Sequence, residues 1–210
     1  MTEASRQALE VLRSPHNFAW HVIPLFVLVL YVYAVEIEKR DWSLVLAGLA
    51  FWGMDWFNEI ANGLVLHFTG RSALWTAPAG SAFVIFVGLN VEISLMFAVL
   101  GIVLIKMLPH EKDLKIWGIP NRVFFAVTNS LLCVGIEILL HAAGALVWEY
   151  WWWNVPFIPL IVTLGYGTFM AVAFWVYDMP QRKRQLQVVG ALFAADALAI
   201  ALFAGLLGWI

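Results

Sequence analysis

The sequence predicts an all-α fold: a polytopic integral membrane bundle of about six transmembrane helices, forming one domain over residues 1–210. Three observations predict it. Charged residues make up 12% of the chain, about half of the roughly 25% carried by a soluble domain. Mean hydropathy is +0.85, and several apolar runs exceed about 18 residues, enough helix to cross a hydrocarbon core of about 30 Å. The polar stretches between those runs are short. Alternating segments of about 10 residues, which a transmembrane β-barrel requires, are absent.

The elements follow in order. Residues 3–13 are polar to amphipathic and suit a short interfacial helix, ended by Ser14-Pro15. The first span is expected over about 18–37, and "EKRDW" leads to a second over 43–68. "TGRSALWTAPAGS" then supplies Gly70, Pro78 and Gly80 as breakers before a third span over 82–107. "PHEKDLKIWGIPN" precedes a fourth span over 123–150. "WWNVP" separates it from a fifth over 157–178, and "MPQRKRQ" leads to a sixth over 187–209. No cleavable leader is expected, since no small-residue cleavage site follows the first apolar run.

Nine of the twelve Lys and Arg residues fall in loops one-two, three-four and five-six. That side is therefore expected in the cytoplasm. Both termini would then be extracytoplasmic, and the location a cell (inner) membrane. A net charge of −2 argues against nucleic acid as a partner. The lone Cys133 excludes an intramolecular disulfide and a cysteine-based zinc motif. Trp148, Trp151, Trp152 and Trp153, with Trp20 and Trp75 near the same level, read as an interfacial aromatic belt or as the mouth for a lipidic ligand. "EIANGLVLHF" and "LHAAGALVWE" invite comparison as an internal duplication, carried mostly by small and apolar residues.

The chemistry lies in polar residues inside the apolar runs. Asp55, Asn58, Glu59 and Asn62 of "MDWFNEIANG" share a helical stripe about 100° wide. Facing lipid would cost several kcal/mol per charge, so the stripe must face the bundle interior. On the fourth span, Ser130, Cys133, Glu137, His141, Gly144 and Trp148 make a second seam, with Glu137 and His141 one turn apart. The third span adds Asn90 and Glu92, the fifth Tyr166, and the sixth Asp196. By rise per residue, Glu59, Glu137 and His141 lie roughly 3–9 Å outward of the midplane, with Asn90 and Glu92 in the same layer. No Lys or Arg lies at that depth. An unpaired carboxylate there must take up a proton or a cation.

Glu59, Glu92, Glu137 and His141 are thus the candidate catalytic residues. Asp55, Asn58, Asn62, Asn90, Trp148, Tyr166 and Asp196 are candidates for orienting them or binding substrate. Three function classes fit. The first is a membrane enzyme on a lipid or isoprenoid-like substrate, with Glu137, His141 and Glu59 holding a divalent metal and Glu59 as acid or base. The second is metal-free acid–base catalysis, as in an isomerase or a terpene cyclase, with aromatic faces stabilising a carbocation. On "WFNE", residues 56–59, the chain is loosely similar to the membrane-bound meroterpenoid cyclases. That resemblance implies a small helical enzyme with an essential acid on an early span. The third is a proton- or ion-linked carrier, or an accessory subunit of a membrane complex. A path open to both sides would then call for a homo-oligomer.

Overall fold

The computed structural model describes residues 1–78 and 82–210. It is 69% helical. Helix α1 (Glu3–Glu10) is followed by α2 (Val22–Glu38) and α3 (Trp42–Thr69). A short strand β1 (Trp75–Thr76) and the hairpin β2 (Val84–Phe86) and β3 (Leu89–Asn90) precede α4 (Val91–Lys106). The β4 (Lys115–Ile116) and β5 (Ile119–Pro120) hairpin leads to α5 (Asn121–Ala142), and β6 (Val147–Trp148) follows. The next helical run joins α6 (Ile158–Leu160), a π-helical turn over Ile161–Tyr166 and α7 (Gly167–Tyr177). The last helix, α8 (Arg182–Ile200), continues into a second π-helical turn over Ala201–Leu206.

Side-chain contacts fix the helix directions. Lys106, ending α4, reaches Glu36 near the end of α2. Arg182, opening α8, lies over the ring of Trp42, which opens α3. Arg122, opening α5, binds Asp178 just beyond α7. The long helices therefore alternate in direction. Helix α3 is the central one and packs against α2, α4, α7 and α8. Its approach to α4 needs small residues: a Cβ on Gly101 would lie 2.8 Å from the Gly48 carbonyl oxygen. Asp41 caps α3 by accepting the Leu44 N–H at 3.1 Å, and Gly70, at φ +59°, ends it in the left-handed conformation.

Among the described residues, three helical stretches are long and apolar enough to cross a membrane: Asn121–Ala142, Val155–Tyr177 and Arg182–Leu206. Helices α2 and α4 have 17 and 16 residues. The 28-residue α3 carries Asp55 and Glu59 along its length.

Two expected spans are shorter than their apolar runs. The third begins at Val91, not at 82. Residues 84–90 instead fold back as the β2–β3 hairpin, and Asn90 starts the helix by accepting the Ile93 N–H at 2.8 Å. The fourth stops at Ala142, and Gly144, at φ +72°, turns the chain away. Trp148 therefore sits on a strand and does not continue the seam of α5. Both segments are apolar because they are buried in loops, and an apolar run alone does not tell a buried strand from a helix. Gly80, read as a loop breaker, lies outside the described residues.

Candidate functional site

At the end of the bundle that carries α1, the loops fold inward and form a lid. Strands β1 and β6 pair antiparallel, Trp75 opposite Trp148 and Thr76 opposite Val147. Asn62 of α3 ties down the first of these loops. Its Nδ2 donates to the Trp75 carbonyl at 2.8 Å, and its Oδ1 accepts the Leu74 N–H at 2.7 Å. Tyr150 ties the second loop to the first, its hydroxyl donating to the Ser72 carbonyl at 3.0 Å. Helix α1 lies against this lid, with Ala8 buried among Leu66, Ala73 and Val87.

Beneath the lid is a chamber. Asp55, Glu59, Glu137 and Tyr166 line it together with Trp75, Trp153, Phe97 and Phe169. Trp75 donates its indole N–H to Glu59 Oε1 at 2.6 Å. The Tyr166 hydroxyl donates to Glu137 Oε1 at 2.9 Å. Each glutamate thus accepts through Oε1 from an aromatic donor. Glu59 Oε2 and Asp55 Oδ2 are buried and have no hydrogen-bond partner among the described residues. The chamber has about 40 Å³ of room for the centres of water-sized molecules, which suits one or two waters. Tyr166 ends the π-helical turn, and Gly165 and Ile161 of the same turn also line the chamber. Such turns recur at functional sites because the extra residue redirects a side chain within a helix.

The structure brings together part of the expected set. Asp55, Glu59, Glu137 and Tyr166 meet at the chamber. Asn62 positions the Trp75 loop, as an orienting residue should. Asn58 instead donates to Thr168 Oγ1 at 3.2 Å and ties α3 to α7. Asn90 is the cap of α4. Glu92 is turned elsewhere: its Oε1 accepts the Ala82 N–H at 2.7 Å and lies 3.0 Å from His21 Nε2. Asp196 is buried against α3, but it does not line the chamber.

His141 is also directed away. Its Nδ1 lies 3.2 Å from the Leu146 carbonyl oxygen and 3.4 Å from the Trp148 nitrogen, so it serves one or the other according to tautomer. Its ring stacks on Trp148 with centroids 5.2 Å apart. Among the described residues, no three His, Cys, Asp or Glu side chains gather in a way that could hold a metal ion. The expected ligand set of Glu137, His141 and Glu59 is not brought together, since the loop after α5 engages the histidine. His67, a further histidine of α3, stacks on Trp209.

Trp75, Trp153, Phe97 and Phe169 are the chamber residues that the sequence did not single out as a set. Trp75 and Trp153 read as interfacial anchors because they sit in loops between apolar runs. The signal pointing inward was their place in turn-rich segments that must fold back over the acids.

The lid, the carboxyl-lined chamber and the apolar helices define a membrane protein with a buried polar site. The chain belongs to the family whose model carries the description "Uncharacterized membrane protein family", which it matches over residues 2–205. It is similar to a protein of Archaeoglobus fulgidus described as "Uncharacterized protein", with 50% identity over 209 residues, covering 100% of this chain and 99% of that one. A second Archaeoglobus fulgidus protein with the same description is 41% identical over 56 residues, which is 27% of this chain and 100% of that protein. No solved structure matches the chain.

Proposed function

We propose that this protein is a six-span enzyme of the cell membrane, with both termini extracytoplasmic, that performs acid–base chemistry on an isoprenoid-like lipid. The observation that carries this reading is the matched holding of Glu59 and Glu137. Each accepts through Oε1 from an aromatic donor, Trp75 and Tyr166 respectively, at one aromatic-walled chamber. Among the described residues nothing binds Glu59 Oε2, which leaves that oxygen for proton transfer.

One glutamic acid would donate its proton to an alkene carbon of the lipid. A C–H bond forms from the alkene π pair, the carboxyl O–H bond breaks, and the neighbouring carbon becomes cationic. The faces of Trp75, Trp153, Phe97 and Phe169 would stabilise that cation. The second glutamate would then remove a proton from an adjacent carbon, re-forming an alkene one position along or after ring closure. Atoms and electrons balance without an oxidant or reductant. The direction of His141 away from the acids favours this metal-free version over one in which Glu137 and His141 share a metal. An isoprenoid end group needs more room than the chamber offers at rest. The two-pair β1–β6 lid and the π-helical turn are the parts whose movement would admit it.

The test uses the full chain reconstituted in lipid vesicles in D₂O with a chelator present. The probes are a polyprenol and a polyene carrying a terminal epoxide. Solvent deuterium on carbon, or ring closure, is expected with at least one of them and is expected to disappear in Glu59→Gln. Activity abolished by the chelator would overturn the metal-free chemistry. The absence of both products from folded wild-type protein would overturn the enzyme reading.

A further inference from the structure

Acid chemistry inside a membrane needs a way for protons to return, and the chamber itself holds only a water or two. A row of carboxyl groups leads away from it. Glu59 and Asp55 are one turn apart on α3 and both line the chamber. Asp55 and Asp196 are both buried, on α3 and α8, two helices that pack against each other. Asp196 lies on α8, 4% exposed, with neither carboxyl oxygen hydrogen-bonded among the described residues. The two helices touch at this level. A Cβ on Gly53 would lie 2.7 Å from Leu192 Cδ2, and the rings of Trp52 and Phe193 are 5.9 Å apart. Buried oxygens without partners are places where a water or a mobile proton is accommodated.

A second cavity begins one turn beyond Asp196. Its lining includes Trp56, which follows Asp55, and Ile200, one turn after Asp196, while the aspartates themselves lie behind it. It runs along Ala204 of the π-helical turn to Arg13 at the lid end of the bundle. It is an open groove with about 310 Å³ of room for the centres of water-sized molecules. Between Arg184 and the end of the chain, Asp196 is the sole charged residue. The other ionisable groups facing this route are Asp55 and Glu59 on α3 and Arg13 at the rim, whose guanidinium donates to the Ile85 carbonyl at 3.1 Å.

We propose that this cavity, Asp196 and Asp55 form a proton inlet that connects the surface at the lid end to Glu59. Its use in catalysis rests on the function proposed above, but the route can be measured without any substrate. A proton passes from water in the cavity to Asp196, and Asp196 and Asp55 each release one as they accept one. No net charge is left buried.

The experiment follows hydrogen–deuterium exchange of the buried carboxyl groups by infrared spectroscopy, with the full chain in vesicles mixed rapidly into D₂O. The C=O band lost in Glu59→Gln reports Glu59. Its exchange is expected to slow by about an order of magnitude or more in Asp196→Asn, and similarly in Ala204→Trp, which fills the cavity. Asp196→Glu is expected to restore the fast rate. Equal rates in all variants would overturn the inlet, as would the absence of a Glu59-dependent band. Slowing by Asp196→Asn without slowing by Ala204→Trp would overturn the route through the cavity. A rate that changes when sodium is replaced by choline would assign the carboxylates to a bound cation instead. Failure of the lipid assay with these exchange results intact would leave the inlet standing and remove the enzyme reading alone.

Discussion

The two ends of the bundle treat their most buried acidic side chains in opposite ways. At the end holding the α3 and α5 N-termini, carboxylates are paired with cations. Glu36, 4% exposed, accepts from Lys106 at 2.6 Å and from Lys39 at 3.2 Å. Asp178 receives Arg122 through Nε at 3.1 Å and Nη2 at 2.8 Å. Its neighbour Asn121 is also satisfied: the side-chain NH2 lies within hydrogen-bonding distance of three carbonyls, the nearest Leu114 at 2.7 Å. At the chamber end, Asp55, Glu59, Glu137 and Asp196 make no salt bridge among the described residues. The arginines nearest that end are engaged elsewhere. Arg13 binds backbone carbonyls, and Arg71 lies over the Tyr150 ring. A buried carboxylate paired with a cation holds helices together, whereas one left with a free oxygen costs stability and is available to exchange protons. The first end is held by its ion pairs, and the second is the end that the proposed function uses.

The largest expected effect tests that division directly. Glu59→Gln should lower deuterium transfer to lipid by about 10²–10⁴-fold while leaving the thermal midpoint unchanged or higher. The amide keeps the shape, still accepts from Trp75 and removes no ion pair. If Glu59→Gln instead unfolds the protein, the chamber acid is holding helices together and the contrast between the ends collapses.

Arg122→Ala should do the reverse. It strands Asp178 at a site where both side chains are about 15% exposed or less, leaving only Lys112 at 3.7 Å. The expected cost is about 3 kcal/mol, read as a lower thermal midpoint in detergent. Proton exchange at Glu59 in the protein that remains folded should be unchanged. A normal midpoint would show that the ion pairs at this end are not structural.

The contrast also explains what could be read from the chain. The helical membrane class was legible because low charge and long apolar runs have few other solutions. The convergence of Asp55, Glu59 and Glu137 was legible because a polar stripe cannot face lipid. The fate of His141 was not. It shares a helix with Glu137 at the right spacing, but the chain after Ala142 folds back and engages the ring, a tertiary event with no local signature. Glu92 was misplaced for the same reason: the hairpin before α4 brings Ala82 to it. Trp75 and Trp153 face the chamber because of the β1–β6 pairing, a contact between loops 71 residues apart that periodicity does not encode.

A third variant perturbs the lid without touching an acid. A Cβ on Gly88 would lie 2.6 Å from both the Asn62 amide nitrogen and the Trp75 indole nitrogen. Gly88→Ala must therefore displace the donor that holds Glu59. The expected cost is about 1–3 kcal/mol of stability, with loss of activity larger than that of stability because the Trp75–Glu59 bond is the first contact to open. Tryptophan fluorescence should shift along with activity. An unchanged spectrum with normal activity would mean that the 2.6 Å contact does not set the position of the acid.

The smallest effect is expected where pairing is redundant. Lys39 is 56% exposed and shares Glu36 with Lys106, the closer of the two. Lys39→Ala leaves that carboxylate with its shorter partner and removes a mostly solvated charge. The expected change is below about 0.5 kcal/mol, and Lys106→Ala should cost more than Lys39→Ala. If the two were equal, Glu36 would be answering to the summed positive potential of its end of the bundle and not to a particular lysine. The paired end would then be stabilised by its field, and the contrast with the chamber would rest on charge density, not on bonds.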